Sequence, residues 1–444
     1  MSDGKETQPT SVPNRAMQVG ETLDRWSWVE PSVWTERMLT ALEMGVKGGK
    51  WFSLIDKVYR LTTLHAAFRK VAANKGAAGV DHVSVAMFEA RLDENLKTLR
   101  DDLRAGVYRP QAIRRHYIPK PGSQEKRPLG IPTVRDRVVQ TALRMVLEPI
   151  FECDFAEHSY GFRPGRGCKD ALRRVATLLK DGYVFIVDAD LKSYFDTIPH
   201  DNLMALVSQK VSDGRVLSLI EGFLKQAVLD DAREWTPISG SPQGAVISPL
   251  LSNIYLNPLD HLMAQAGLEM IRYADDLVIL CRSSEAADQA LATLQAWTAE
   301  AGLSLHPTKT RVVDARESGF EFLGYRFEGG TRRPRAKSLE KFKDAIRAKT
   351  RRSSGDSLPK IILTLNGTLR GWFEYFKHSH IWIFSPLDGW IRRRLRSLLR
   401  RRAGLRGISR GRADSYRWPN AFFAGHGLFE LSMAHALARQ SSRR

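Results

Sequence analysis

Two adjacent carboxylates inside an apolar hairpin restrict the fold of this chain more than any other feature. In "IRYADDLVIL", residues 271–280, Asp275 and Asp276 lie between a short apolar segment and the apolar run 277–280. Apolar runs on both sides of a tight turn are typical of a β-hairpin. Like charges in a partly desolvated turn repel each other strongly at low effective dielectric. The hairpin is therefore expected to face a cation.

A second strand that ends in carboxylates precedes this hairpin. "YVFIVDADLKSYFDTIP" contains an apolar strand, 183–187, followed by Asp188 and Asp190. Buried strands with a carboxylate at their edge are typical of active sites in mixed sheets. Asp190, Asp275 and Asp276 together would offer the oxygen ligands that Mg²⁺ prefers, and two such ions can clamp an in-line displacement at phosphorus. From the residues alone, acidic caps at strand ends explain the same pattern.

The remaining pattern is helical before the strands and basic after them. Apolar residues recur at helical spacing between residues 51 and 103, and "RRHYIPKPGSQEKRPLGIP" predicts a hairpin whose tip bears Lys120, Lys126 and Arg127, which suits phosphate. Further helices are predicted at 136–150, 169–180, 200–227 and 285–301, and a short strand at 320–327.

The positive charge is concentrated in the last quarter of the chain. The whole chain carries a net charge of +19, and residues 331–444 contain 27 Lys and Arg against 7 Asp and Glu. The first 330 residues contain 41 against 42 and are close to neutral. A basic segment attached to a neutral body indicates a nucleic-acid partner. The alternative is a solvated basic surface that serves solubility.

Several classes of protein are disfavoured by composition. No run of about 18 apolar residues could span a bilayer, and the polar N-terminus has no signal-like apolar segment. Cys153, Cys168 and Cys281 are too few and too scattered for a disulfide framework or a zinc site. We therefore expect no membrane, no zinc and a cytoplasmic protein.

Seven blocks, in order, resemble those of the group II intron reverse transcriptase and maturase family. "YADD" at 273–276 is similar to the catalytic box of reverse transcriptases. The resemblance runs from about residue 60 to the C-terminus. The other blocks are "NKGAAGVD" (74–81), "IPKPGSQEKRPLGIPTVRDRVVQ" (118–140), "SYGFRPGRG" (159–167), "DADLKSYFDTIPH" (188–200), "SPQGAVISPLLSNIYL" (241–256) and "FEFLGYRF" (320–327).

The resemblance implies an α+β right-hand polymerase. A leader and helix would occupy residues 1–59, and fingers and a palm with an antiparallel sheet would occupy 60–330. An α-helical thumb, the maturase domain X, would follow at 331–400. A short basic module that resembles a DNA-binding segment would form 401–444.

The resemblance also implies the catalytic residues. Asp190, Asp275 and Asp276 match the catalytic aspartates, which would hold two Mg²⁺ ions and act on deoxynucleoside triphosphates. Tyr273 and Ala274 match the aromatic and small residues of the box near the primer terminus. Asp188 and Asp196 are expected to be structural caps or hydrogen-bonding groups rather than ligands.

Nucleotide-binding residues are implied in the same way. Phe195 matches the aromatic that closes off the sugar 2′ position, with a core aromatic as the alternative. Ala245 stands where many relatives have a second glycine in this loop, which leaves the conformation of the loop open. The residues that match the nucleotide site are Lys120, Arg127, Arg114 as a weaker third cation, Phe195, Gln243 and Gly244.

A third set is expected to contact template, primer or intron RNA. Arg163 and Arg166 would contact template or nucleotide, although a turn that is merely basic is the alternative. Trp372 lies in the recognisable core of domain X, "LRGWFEYF", where packing of the thumb helices is its expected main role. The arginine-rich run 390–412 predicts backbone binding that weakens with salt. The residues named for this run are Arg392, Arg393 and Arg394.

The expected function is RNA-directed DNA synthesis on an RNA template with a DNA primer. The family further implies binding of the structured group II intron RNA, assistance to splicing, and mobility into target DNA as a ribonucleoprotein. It also implies a bacterial cytoplasmic protein that is associated with the nucleoid when it is on DNA. No cysteine follows Cys281, so a C-terminal His-Asn-His endonuclease is not expected, and the second DNA strand would not be cut by that route. The alternatives are an RNA-binding splicing cofactor and a domesticated polymerase in repair or defence.

Overall fold

The computed structural model describes residues 25–46, 48–119, 126–230, 233–408 and 412–441, and the chain has a mixed α/β architecture. The described strands form three sheets, in which the neighbouring strands pair antiparallel except for β1 with β4. The strands are β1 Ile113–Pro119, β2 Lys126–Ile131, β3 Phe185–Asp190, β4 Val228–Asp230, β5 Arg233–Trp235, β6 Glu269–Tyr273, β7 Asp276–Cys281, β8 Arg311–Asp314, β9 Phe320–Phe322, β10 Tyr325–Glu328 and β11 Thr331–Pro334.

Helices precede, separate and follow these strands. The helices are α1 Glu36–Met44, α2 Ile55–Val58, α3 Leu61–Ala73, α4 Val85–Glu89, α5 Leu92–Ala105, α6 Val134–Glu152, α7 Cys168–Lys180, α8 Tyr194–Thr197, α9 His200–Lys210, α10 Gly214–Leu224, α11 Ser248–Gln265, α12 Ser284–Glu300, α13 Ala336–Lys349, α14 Leu358–Phe376, α15 Phe384–Arg402, α16 Arg412–Arg417, α17 Asn420–Gly425 and α18 Leu431–Ser441, with a short 3₁₀ helix at Ile381–Ile383.

The central sheet has the strand order β6-β7-β3-β8 and is buried on both faces. Successive side chains of a strand point to opposite faces. Val187 and Ile279 accordingly join the large core formed with the N-terminal helices and α11, whereas Ile186 and Val278 pack in a second core with Phe320. Because each face has its own apolar cover, slipping the register by one residue would exchange the two sets and is strongly disfavoured.

A second sheet, in the order β2-β1-β4-β5, contains the expected basic hairpin. β1 and β2 pair from Arg114 opposite Ile131 to Pro119 opposite Lys126. The backbone N–H of Gly130 donates to the carbonyl oxygen of Gln243 at 2.6 Å. This hydrogen bond ties the hairpin to the loop that enters α11.

Two predicted elements are each divided in the structure. The strand predicted at 320–327 is two antiparallel strands, β9 and β10, because the chain turns at Leu323 and Gly324, both of which have positive φ. The helix predicted at 200–227 is α9 and α10, because the Asp213 side chain accepts the N–H groups of Arg215 and Val216 and starts a new helix.

The C-terminal helices share one core. Phe342, Leu365 and Ile391 from α13, α14 and α15 pack in the same cluster as Phe423 and Leu431. α15 continues to Arg402, past the boundary expected at residue 400. Phe423 and Leu431, which lie beyond residue 400, thus pack against the preceding helices.

A buried carboxylate fixes the last helix to α15. The Asp388 side chain accepts hydrogen bonds from the backbone N–H groups of Leu431 and Ser432, each at 2.9 Å. The first N–H groups of a helix have no partner within it, so Asp388 supplies one from another helix.

Among the helices that the structure describes, none combines the length and the apolar character needed to cross a membrane.

Candidate active site

The carboxylates of the central sheet meet at one end of β3 and β7. Asp190, the last residue of β3, lies opposite Asp276, the first residue of β7. Tyr273 pairs with Asp276 across the hairpin, so Ala274 and Asp275 form its turn, in which Ala274 has φ of +61°. The sequence predicts that Asp190 joins Asp275 and Asp276 on neighbouring strands. The antiparallel register brings these residues to the same end of the sheet.

The negative charge of this cluster is poorly compensated. Burial, followed by the charges of Asp188, Asp275 and Asp190, raises the pKa of Asp276 to about 7. Burial is also the largest cause that raises the pKa of Asp275. Burial raises the pKa of Asp188 to about 6, although the charge of Arg311 lowers it. Carboxyl groups that repel one another in this way would be stabilised by a cation.

Two protein cations already contact the cluster, and Arg311 Nη2 lies 3.5 Å from Asp188 Oδ2. Lys309 Nζ lies 2.7 Å from Asp190 Oδ2, and both side chains are partly exposed. Within the described ranges, no three acidic, His or Cys side chains converge as a ready set of metal ligands. The oxygen donors and the excess charge fit a hard divalent cation, with Asp190 turned towards Lys309.

A fully buried arginine holds the hairpin turn from behind. Arg272 precedes Tyr273 in β6, and its Nη1 donates to the carbonyl oxygen of Ala274 at 2.9 Å. Burial opposes the charge of Arg272, yet the adjacent Asp260 carboxylate raises its pKa overall. Arg272 also donates through Nε and Nη2 to Asp260, so the two form a buried ion pair.

The other donors of Arg272 are satisfied by two short polar side chains. Nη1 also donates to Asn253 Oδ1 at 3.0 Å, and Nη2 donates to Ser159 Oγ at 2.7 Å. Asn253 Nδ2 in turn donates to the carbonyl oxygen of Gly161 at 2.8 Å. A Cβ at Gly161 would lie 2.2 Å from the backbone nitrogen of Ala274, so only glycine allows this segment to approach the turn.

A cavity of about 630 Å³ lies between the basic hairpin and the loop before α11. Phe195 and Gln243, two predicted nucleotide-binding residues, line it. Gln243 Nε2 donates to Asp196 Oδ2 at 3.4 Å, and the Arg115 guanidinium lies 5.0 Å from the Trp235 ring centre. The cavity therefore combines an aromatic wall, an amide and a cation, which are groups that can hold a nucleotide.

Gly244 lies beside this cavity in a backbone conformation that favours glycine. Its φ is +105°, and a Cβ would meet the carbonyl oxygen of Gly130 at 2.5 Å. Gly244 therefore lies in close approach to the backbone of β2.

The predicted triphosphate cations have different positions. Arg127 on β2 is exposed, and its charge is close enough to lower the pKa of Asp275 against the raising effect of burial. Arg114 donates through Nη2 to the carbonyl oxygen of Ala78 at 2.6 Å and so braces the "NKGAAGVD" segment. Lys120 lies outside the described residues.

The arginines of "GFRPGRG" make internal contacts. The Arg163 side chain is 2% exposed and pairs with Glu152 at 2.7 Å. Arg166 Nη1 donates to the carbonyl oxygen of Glu157. The sequence predicts that Arg163 contacts template, but its guanidinium is buried because it bonds to the chain segments around it.

Tyr273, the aromatic residue of the hairpin, is half-buried. Burial is the largest cause that raises its pKa to about 12, and Cys168 is the next.

The residues selected in the basic quarter also divide by exposure. The Trp372 ring stacks on Phe342 with centres 4.3 Å apart, which is the packing role expected as its main one. Arg392 pairs with Glu430 at 2.9 Å, and Arg394 Nε donates to Thr350 Oγ1 at 2.6 Å. Of the three arginines 392–394, Arg393 is the one whose side chain is exposed.

Sequence reasoning missed Arg272, Lys309 and Arg115. A signal for Arg272 was present, because Asn253 and Asp260 are seven residues apart in a helix rich in apolar residues and so share one face. Polar residues on such a face require partners. The contact of Lys309 with Asp190 joins residues 119 positions apart, and no local pattern indicates it.

Comparisons with known proteins agree with these observations. Residues 118–327 match the family described as reverse transcriptase (RNA-dependent DNA polymerase), and residues 339–416 match the group II intron maturase-specific domain. Protein YkfC of Escherichia coli (strain K12) is 37% identical over 317 residues, which cover 61% of this chain and 83% of that protein.

Other similar proteins are covered less completely. The group II intron-encoded protein LtrA of Lactococcus lactis subsp. cremoris is 36% identical over 217 residues, which cover 48% of this chain but 35% of LtrA. Among solved structures, a chain of a partial Cas6-RT-Cas1--Cas2 complex is 24% identical with a TM-score of 0.37, over 55% of this chain and 42% of that chain.

Proposed function

This chain belongs to the family of group II intron-type reverse transcriptases and maturases, and from that premise we propose how its residues carry out RNA-directed DNA synthesis. In the proposed reaction a primer 3′-hydroxyl attacks the α-phosphorus of a deoxynucleoside triphosphate and pyrophosphate leaves. The observation that carries the proposal is the register that sets Asp190 opposite Asp276 at the end of two buried strands.

The proposal assigns a role to each group at this end of the sheet. Asp190, Asp275 and Asp276 would hold two divalent cations, most simply Mg²⁺, which activate a hydroxyl nucleophile and stabilise a leaving pyrophosphate. Arg127 offsets negative charge on the triphosphate. Phe195 and Gln243 hold the sugar and base in the 630 Å³ cavity, where Phe195 excludes a 2′-hydroxyl.

The proposed polymerase regions follow from these roles. The β1–β2 hairpin acts as part of the fingers, because it carries Arg127 above the carboxylates. The sheet of β6, β7, β3 and β8 acts as the palm. Helices α13 to α15 act as the thumb, which grips template and primer.

A conservative substitution tests the polymerase proposal. Asp275→Asn keeps the size of the side chain and removes its charge, so primer extension on primed RNA with Mg²⁺ should be abolished. Asp288→Asn, on the exposed face of α12, is the matched control and should extend normally. Undiminished synthesis by Asp275→Asn would refute the assignment.

We propose a second activity, binding of group II intron RNA to assist its splicing. The match of residues 339–416 to the maturase-specific domain and the excess of basic residues after 330 favour it. Template and primer, and target DNA for mobility as a ribonucleoprotein, would bind to the same basic region. Because RNA binding does not use the carboxylates, Asp275→Asn should retain splicing assistance. A loss of splicing with full RNA affinity would contradict the separation of the two activities.

A further inference from the structure

A basic cavity lies at the junction of β11, the end of α14 and the last helix. Its volume is about 370 Å³, and its walls come from three segments that are far apart in sequence. The backbone N–H of His380 donates to the carbonyl oxygen of Arg332 at 2.9 Å, and Arg332 Nε donates to the carbonyl oxygen of His378 at 2.7 Å. These bonds fix two of the walls to each other. The lining residues are Gly330, Thr331, Arg332, Lys377, His378, Ser379, His380, Ile381, His435 and Arg439.

The cavity has an excess of positive charge. Among the residues that the structure describes, its lining contains Arg332, Lys377 and Arg439 and no Asp or Glu. Of these three cations, Lys377 alone has a carboxylate partner among the described residues, Glu374 at 2.9 Å. Burial lowers the pKa of His435, and the charge of Arg439 lowers it further. Arg332 and Arg439, which have no carboxylate partner among the described residues, would be stabilised by an anion.

A buried histidine indicates that the wall is prepared for a ligand. His435 is 5% exposed, and its Nδ1 is enclosed without a hydrogen-bond partner. Its ring lies against Phe384 with centres 4.7 Å apart. His435 lines the cavity, and a neutral imidazole donates through one of its two ring nitrogens, so this ring adds a hydrogen-bond donor to the wall.

An exposed aromatic ring stands next to the cavity. Trp382 is 63% exposed, and its ring centre lies 3.9 Å from that of His380. A tryptophan in this position leaves a large apolar face in water, which favours a flat partner. Base stacking on aromatic side chains beside a basic groove is how proteins bind unpaired nucleic acid.

We propose that this cavity binds a backbone phosphate of a single-stranded nucleic-acid segment, whose neighbouring base stacks on Trp382. The volume accommodates a phosphate group and excludes a duplex. The unpaired base is required because a base in a helix has no free face for Trp382. The site does not involve the aspartates of the central sheet, although its purpose rests on the proposed nucleic-acid function.

The test measures binding of labelled single strands by the full chain. Fluorescence anisotropy is recorded with a short single-stranded RNA, with DNA of the same sequence and with the corresponding duplexes, for wild type, Arg439→Gln and Trp382→Leu. Each variant should weaken single-strand affinity by about fivefold or more and leave duplex affinity unchanged. Comparing RNA with DNA shows which strand the site prefers. Millimolar inorganic phosphate should compete with single-strand binding in wild type and have less effect in Arg439→Gln.

A neighbouring arginine supplies the matched control. Arg333 lies beside Arg332 on β11 but pairs with Glu328 and does not line the cavity, so Arg333→Gln should bind single strands as wild type does. The proposal is overturned if Arg439→Gln and Trp382→Leu bind single strands normally, or if they weaken duplex binding equally. If wild type binds no nucleic acid of any kind, the proposed function fails as well, so the two failures are distinguishable.

Discussion

Arg272 offers the sharpest test of how the carboxylate turn is held. Its five N–H donors all have partners inside the protein, and one of these partners is the carbonyl oxygen of Ala274 in the turn. Arg272→Met removes these donors and leaves the Asp260 carboxylate buried and unpaired. Breaking a buried ion pair in this way typically costs about 3–5 kcal/mol of unfolding free energy. That is a large part of the ~5–15 kcal/mol by which domains are stable.

The double variant Arg272→Met/Asp260→Leu separates stability from catalysis. Apolar residues that replace both members of a buried pair often preserve stability, so most of the loss should be recovered. Asn253 and Ser159 still lose a donor, at about 1 kcal/mol each. The turn also loses its hydrogen bond, and misplacement of reacting groups can cost about 100-fold in rate. We therefore expect a folded protein with a low rate of nucleotide addition.

Urea unfolding and single-turnover primer extension measure the two effects. The single variant should unfold at a much lower urea concentration than wild type, and the double variant at an intermediate to near-normal one. A double variant with the wild-type extension rate would show that Arg272 does not position the turn. A double variant as unstable as Arg272→Met would show that the unpaired carboxylate is not the source of the loss.

Two further predictions concern charge in the fold. In metal-free buffer the pKa of Asp188 is about 6 and that of Asp276 about 7 in the folded protein. In the unfolded chain an aspartate has a pKa of about 3.9. The unfolded state then binds fewer protons between these limits, so the contribution of Asp276 to unfolding free energy should fall as pH rises from about 4 to about 7. Urea titrations should show this fall as a difference between wild type and Asp276→Asn, and a difference independent of pH would contradict it. In the basic quarter, Arg393→Gln should weaken RNA binding and its salt dependence at unchanged melting temperature, because Arg393 is exposed. Arg396→Gln should lower the melting temperature, because Arg396 is buried and donates to Trp418 and Asn420. Thermal melts in which Arg393→Gln is destabilised and Arg396→Gln is not would refute this assignment of exposed and buried roles.

The sequence predicted best those features that depend on local pattern. The apolar runs around Asp190 and around Asp275 and Asp276 predicted strands, and antiparallel pairing of these strands brings the three side chains to one edge. The basic hairpin was predicted for the same reason, because two short strand-like segments flank its basic residues in the sequence. The family profile over residues 118–327 agrees with the reading of this part as a reverse transcriptase.

Features that depend on contacts between distant segments were not predictable from one sequence. Arg163 in "GFRPGRG" gives no local sign that Glu152 will enclose it, so the pattern alone suggested a surface cation. The arginines after residue 390 form a run in the sequence, but the helix they occupy points some of them inward to Glu430 and Thr350. Charge counts therefore show that the last quarter is basic but do not identify which guanidinium groups are exposed.

The capping of the last helix by Asp388 has a consequence for the order in which the protein is made. Domains generally fold as they emerge during synthesis, with the N-terminal parts first. The core that contains Ile391 also requires Phe423 and Leu431, and Asp388 stays without its backbone partners until Leu431 and Ser432 exist. The central sheet can thus assemble on the ribosome before the basic helices close. A nascent chain would therefore form its carboxylate cluster before residues 431 and 432 complete the C-terminal helices.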